Sequence, residues 1–118
     1  MKLAAELLTG LVALLHLYFL ALEMFFWDKP YGRRVFHLTP DFAAASKVLA
    51  ANQGLYNGFL AAGLIWSLLI GNAGHSVQLF FLGCVVVAGV FGGFTVGRKA
   101  FLYQALPGAV ALVLALLS

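Results

Sequence analysis

The sequence of 118 residues is 64% hydrophobic and 9% charged, with a net charge of +3 and a mean hydropathy of +1.02. A water-soluble domain covers itself with about 25% charged residues, so this composition excludes an ordinary soluble surface. The basic residues lie at the ends of apolar runs and in short loops, which suits an anionic membrane face and excludes nucleic acid as the partner.

The first apolar run extends from about Leu3 to Trp27 and closes in the aromatic cluster Phe25-Phe26-Trp27, of the kind that sits at headgroup level. Lys2 ahead of this run imitates a signal peptide. The run, however, leads into Glu23-Met24-Phe25-Phe26-Trp27-Asp28 with no small-residue cleavage site, so it reads as a retained helix. Asp28 to Arg34 reads as a polar turn. Val35 to Asp41 reads as a short interfacial piece, with Thr39 or Asp41 capping the helix that follows. The second long run covers about Phe42 to Ile70, and Gly71-Asn72-Ala73-Gly74-His75 makes a tight turn. The third covers about Ser76 to Val96 and the fourth about Phe101 to Leu117. Pro107 near the start of the fourth is tolerated, because early helix positions lack intrahelical N–H partners.

Runs of this length match helices crossing a hydrocarbon core of about 30 Å. The continuous apolar character lacks the alternation of a membrane β-barrel. The expected architecture is therefore an all-α membrane protein, a single bundle of four transmembrane helices over residues 1–118. Lys29, Arg33, Arg34, Lys47, Arg98 and Lys99 gather on one side. The positive-inside rule then puts loops one and three in the cytoplasm and both termini outside, in a multi-pass cell membrane protein of the bacterial inner-membrane kind. Cys84 stands alone in an apolar run, which leaves no partner for an intramolecular disulfide. Gly89, Gly93 and Gly97 form a small-residue ridge, and Gly54 and Gly58 another, continued by Ala61 and Ala62. Such ridges let helix backbones approach closely within one chain, with a homodimer seam as the alternative.

Polar side chains inside these runs are costly and mark candidate sites. Lys2, Thr9, His16 and Glu23 recur every seven residues, which places them on one stripe of the first helix. His16 and Glu23 are then about 10 Å apart along the axis. Gln53 and Asn57 share a face of the second long helix at i, i+4, with Asn52 and Tyr56 beside them, and Gln104 opens the fourth. Glu23, Gln104, Asn52, Gln53, His16 and Asn57 are all reached from the cytoplasmic half, and the other half reads as almost purely apolar. The pattern predicts a polar cavity opening inward rather than a spanning pore. His16 and Glu23 alone are too few to hold a metal ion. The sequence carries no nucleotide loop, nucleophile elbow or cysteine–histidine cluster that would ask for a cofactor.

Three stretches carry a resemblance: Leu14-Leu15-His16-Leu17-Tyr18-Phe19 through Glu23-Met24-Phe25-Phe26-Trp27, Arg33-Arg34-Val35-Phe36, and Ala51-Asn52-Gln53-Gly54-Leu55-Tyr56-Asn57-Gly58-Phe59-Leu60. Together they resemble a family of small four-helix bacterial membrane proteins catalogued as a domain of unknown function (number 1304). The resemblance covers essentially the whole chain. It implies a four-helix membrane fold with His16, Glu23, Asn52, Gln53, Tyr56 and Asn57 as signature positions, and implies no activity. The chain is also similar in length and helix count to small multidrug exporters. Their helix-one carboxylate is deep, whereas Glu23 is near the cytoplasmic end.

The function expected from these residues is an inward-facing intramembrane pocket that binds a lipophilic small molecule or membrane lipid. Glu23, His16, Asn52, Gln53, Tyr56, Asn57 and Gln104 would line it, amid aromatic side chains. An enzymatic version would use Glu23 and His16 as a proton-transfer pair. The alternatives are a proton-coupled exporter acting as a homodimer and a structural or regulatory membrane subunit.

Overall fold

A computed structural model describes all 118 residues, Met1–Ser118. The chain is all-α: α1 (Lys2–Met24), α2 (Pro30–Phe36), α3 (Pro40–Leu69), a 3-10 turn (Gly71–Gly74), α4 (His75–Thr95), a π-helical turn (Phe101–Ala105) and α5 (Leu106–Leu116). Two of its helical runs, Lys2–Met24 and Gly71–Thr95, are long and apolar enough to cross a membrane. The fold divides into two compact units, one of residues 1–15 with 60–118 and one of residues 16–59.

The first unit is built on small residues. Its core gathers Ala5, Val12 and Ala13 of α1, Leu64 of α3, Leu82 and Val85 of α4, and Ala111 and Ala115 of α5. On α4 the buried positions Gln78, Leu82, Val85 and Gly89 follow a four-three-four spacing, one face of a helix. Gly89 lies against the backbone of Ala105, Gly93 against the ring of Phe101 and Gly108 against Val85, so helices α4 and α5 approach at backbone distance. Gly97, the third residue of the expected ridge, has open space where a side chain would be. The large apolar side chains point the other way: Leu3, Leu7, Leu11 and Leu14 of α1, and Phe80, Val87, Phe91 and Phe94 of α4, are all exposed. Small residues inside and large apolar ones outside reverse the arrangement of a water-soluble core.

Polar groups are nevertheless buried in this unit, which corrects the expectation of an almost purely apolar half. Gln78 Nε2 donates to Thr9 Oγ1 at 2.9 Å, and Thr9 Oγ1 donates to the carbonyl of Ala5 at 2.7 Å. Ser67 Oγ donates to the carbonyl of Leu64. Losing Thr9 strands the buried Gln78 amide, whereas losing Gln78 leaves the Thr9 hydroxyl still bonded to Ala5. Thr9→Val is therefore expected to lower stability by about 1 kcal/mol. The Thr9→Val, Gln78→Leu double variant should recover most of it, as read by unfolding in mixed micelles.

The second unit corrects the boundaries expected for residues 25–41. Helix α1 stops at Met24, three residues before Trp27. The amides of Phe25 and Phe26 both bond the carbonyl of Ala21, and the Trp27 indole N–H donates to Ser46 Oγ at 2.9 Å, drawing that residue off the helix. Pro30 needs an extended predecessor, which Lys29 supplies with ψ 159°. Pro30 then opens α2, so most of the expected turn is helical, and the expected interfacial piece over 35–41 is divided between the end of α2, a short link and the start of α3. Gly32 has no room for a side chain, since a Cβ there would meet the Phe26 carbonyl. His37 closes α2 in the left-handed region, with φ 57°. Thr39 Oγ1 then accepts the Phe42 amide at 3.2 Å, which makes Thr39 the cap of α3. Pro40 takes the first helical position.

Candidate functional site

The six signature positions all fall in the unit of residues 16–59. In that unit α1 and α3 meet along Leu20, Glu23 and Met24 on one side and Gly54 and Gly58 on the other. A Cβ at Gly54 would lie 2.6 Å from Met24 Cγ and 3.1 Å from Glu23 Cβ, and one at Gly58 would lie 2.7 Å from Leu20. The glycines thus set the helix spacing at the depth of Glu23. There the Asn57 side-chain amide donates to Glu23 Oε1. Asn57 is buried, and Glu23 is half-buried. A carboxylate in an apolar setting needs donors, and Asn57 supplies one from the neighbouring helix.

His16 is fully buried, with its ring edge-on to Phe19 at 5.5 Å between centroids. It shares the Glu23 stripe, about 10 Å away along the helix axis, while Glu23 is bonded across to α3. Gln53 flanks Asn57 one turn earlier and is exposed. Asn52 and Tyr56 are exposed as well, and the Tyr56 ring lies against Phe59. The structure therefore brings Glu23 and Asn57 together, keeps His16 on their stripe, and turns Asn52, Gln53 and Tyr56 outward. Gln104 belongs to the other unit, in the π-helical turn. No group of three or more His, Cys, Asp or Glu side chains comes together.

Three polar contacts frame the end of α1 and were not singled out in the sequence. Trp27 bonds Ser46, and the hydroxyls of Tyr18 and Tyr31 bond each other. Lys47 Nζ lies 3.2 Å from Asp28, which holds that exposed carboxyl below the usual aspartate range. Arg33 on α2 has its Nε buried without a hydrogen-bond partner. The sequence signal for these contacts is faint, because aromatic and charged residues at a helix end are expected whether or not they pair.

A family model described as "Protein of unknown function (DUF1304)" matches residues 10–116. The chain belongs to this family. It is also 32% identical over 120 residues to "Uncharacterized protein YpaA" of Lactococcus lactis subsp. lactis (strain IL1403), covering 100% of this chain and 98% of that protein. No solved structure matches the chain. The DUF1304 match spans Glu23, His16 and the Asn52–Asn57 run and stops two residues short of Ser118.

Proposed function

We propose that this DUF1304 protein is a multi-pass membrane protein that binds a lipophilic small molecule by its polar end at the Glu23–Asn57 pair. The four crossings would be α1, α3, α4 and the helical run from Phe101 to Leu116, with loops one and three cytoplasmic and both termini outside. The apolar windows of α1 and of Gly71–Thr95 support this, being only 28% and 22% buried. A core helix of a soluble protein would be mostly buried. The exposed remainder is large and apolar, which only lipid or a partner covers without penalty. Helix α3 is less apolar because of its Asn52–Asn57 run, yet its 30 residues reach about 45 Å, ample for a bilayer.

The observation that carries the binding proposal is the Glu23–Asn57 hydrogen bond on a seam opened by Gly54 and Gly58. It fixes a carboxylate oxygen and leaves the other oxygen for a ligand's O–H or N–H, with the Gln53 amide one turn away. Tyr18 on α1 and Phe25 and Phe26 just past its end are exposed and offer apolar surface to the ligand body. This is the usual build of a ligand site, apolar with a few convergent polar groups. Turnover would require His16 to reach the same ligand.

A second reading, a dimeric carrier, is favoured by Asn52. An exposed amide this far along a membrane helix needs a hydrogen-bonding partner, and a second amide is self-complementary. The expected ridge for that dimer is not the one available, since Gly89 and Gly93 already pack against Ala105 and Phe101.

Native mass spectrometry of the gently purified protein beside its Glu23→Gln variant tests these readings. The binding proposal expects a defined lipophile on the wild type, reduced at least about tenfold on the variant. Equal loading of the two, or an empty wild type, would overturn it. The subunit count in the same spectra reads the second proposal.

A further inference from the structure

The unit of residues 1–15 and 60–118 contains a cleft of about 270 Å³ that none of the signature positions lines. Its walls come from the first turns of α1, the end of α3, the 3-10 turn and the start of α4. The side chains that carry chemistry are those of Lys2, Glu6, Ser67, Asn72, His75, Gln78 and Ser118, whose hydroxyl donates to the Leu114 carbonyl. One side-chain cation, one side-chain anion, an imidazole, two hydroxyls and two amides thus converge on a space at the small end of ligand sites, which run from about 300 Å³ upward.

The two charges in this cleft do not neutralise each other. Lys2 and Glu6 stand at i, i+4 on α1, but with the lysine N-terminal to the glutamate, the weaker order for such a pair. Lys2 Nζ instead donates to Asn72 Oδ1 at 2.5 Å. The Glu6 carboxylate is half-buried and is engaged by no hydrogen bond or ion pair. Beneath them Gln78 is buried, with its Nε2 held by Thr9, so the amide is fixed in orientation. A carboxylate and an ammonium are thereby held apart on one wall, about 6 Å along the axis from each other.

We propose that this cleft binds a zwitterionic head group that carries a primary ammonium and a phosphate. Glu6 takes the ammonium by charge-assisted hydrogen bonds. Lys2, with an N–H of His75, takes the phosphate. The volume admits a head group and excludes acyl chains, which would run along the exposed leucines of α1 (Leu3 and Leu7). The site is independent of the Glu23–Asn57 proposal. Only the lipid as a source of the head group rests on the membrane reading. A free phosphoethanolamine presents the same chemistry.

Native mass spectrometry from detergent tests the site, with equal amounts of phosphatidylethanolamine, phosphatidylcholine and phosphatidylglycerol supplied. The proposal expects phosphatidylethanolamine to be retained about tenfold over the other two. The choline lipid lacks N–H donors and the glycerol lipid lacks the cation. Glu6→Gln should abolish that preference, and Glu6→Asp should keep part of it with an unchanged circular dichroism spectrum. Lys2→Gln, in an exposed first turn, should weaken retention of phosphatidylethanolamine without touching the fold. Competition by soluble phosphoethanolamine distinguishes the sources. Displacement of the lipid identifies the free zwitterion as a sufficient ligand, and failure to displace assigns the site to the lipid. Equal retention of the three lipids, a preference that survives Glu6→Gln, or retention of phosphatidylethanolamine unchanged in Lys2→Gln would overturn the proposal.

Discussion

Gly89→Val is expected to destabilise the detergent-solubilised protein by about 1–3 kcal/mol, or to prevent its folding outright, through overpacking. A Cβ at this position would fall on the backbone N and Cα of Ala105. Backbone atoms cannot rotate away as a side-chain end can, so the two helices would have to separate. On the proposed membrane reading their association would rest on that close contact, because acyl chains are as apolar as the helices themselves. The matched control is Gly83→Ala, where an added Cβ meets nothing within 4 Å. It should gain about 1 kcal/mol from helix propensity. Thermal unfolding of both variants in one detergent reads the contrast. Equal melting temperatures would mean that α4 and α5 do not pack through Gly89.

The second large effect is expected at Asn57. Asn57→Leu removes the donor that bonds Glu23 and strands a half-buried carboxylate, at a cost of about 1–3 kcal/mol or more. Glu23→Gln is different in kind. The amide retains an oxygen for Asn57 to bond, so stability should hold while the charge available to a ligand is lost. The double variant Glu23→Leu, Asn57→Leu should recover most of the stability lost by Asn57→Leu alone, since no polar group is then left unpaired. Unfolding of the three variants forms a double-mutant cycle. Strict additivity of the two leucine substitutions would show that the bond contributes nothing to the fold.

Much of this architecture is legible in the sequence, and its gaps have physical causes. The four apolar runs and their turns follow from length and hydropathy, and the Gly54–Gly58 seam from small-residue spacing. Residues 25–41 depart from the sequence expectation because Phe25, Phe26 and Trp27 continue the apolar pattern past the point where the helix stops. What ends α1 is a pair of distant demands, the Ser46 hydroxyl for Trp27 and the extended residue before Pro30. The site was legible in part for a similar reason. A glutamate and several amides inside apolar runs declare themselves, but adjacent residues such as Asn52 and Gln53 cannot both face one neighbour. The choice of which side of α3 packs falls to Gly54 and Gly58, and it sends Asn57 inward and Asn52 outward. The cleft at Glu6 leaves no mark in the sequence because it is assembled from helix ends and a turn, where polar residues are expected without any further purpose.

The π-helical turn at Phe101–Ala105, closed by the Leu106 N–H to the Phe101 carbonyl, bears on how the chain can change in length. Such a turn holds one residue more than an α-helical turn, looped out within an otherwise regular helix. Losing one residue inside it would restore the ordinary turn and leave both flanks in their present phase. The same loss at the start of α5 would rotate every later side chain by about 100° and carry Gly108 and Ala111 out of the core. The fourth helical run thus has one place where a deletion is cheap, and it lies directly beside the Gly89 contact.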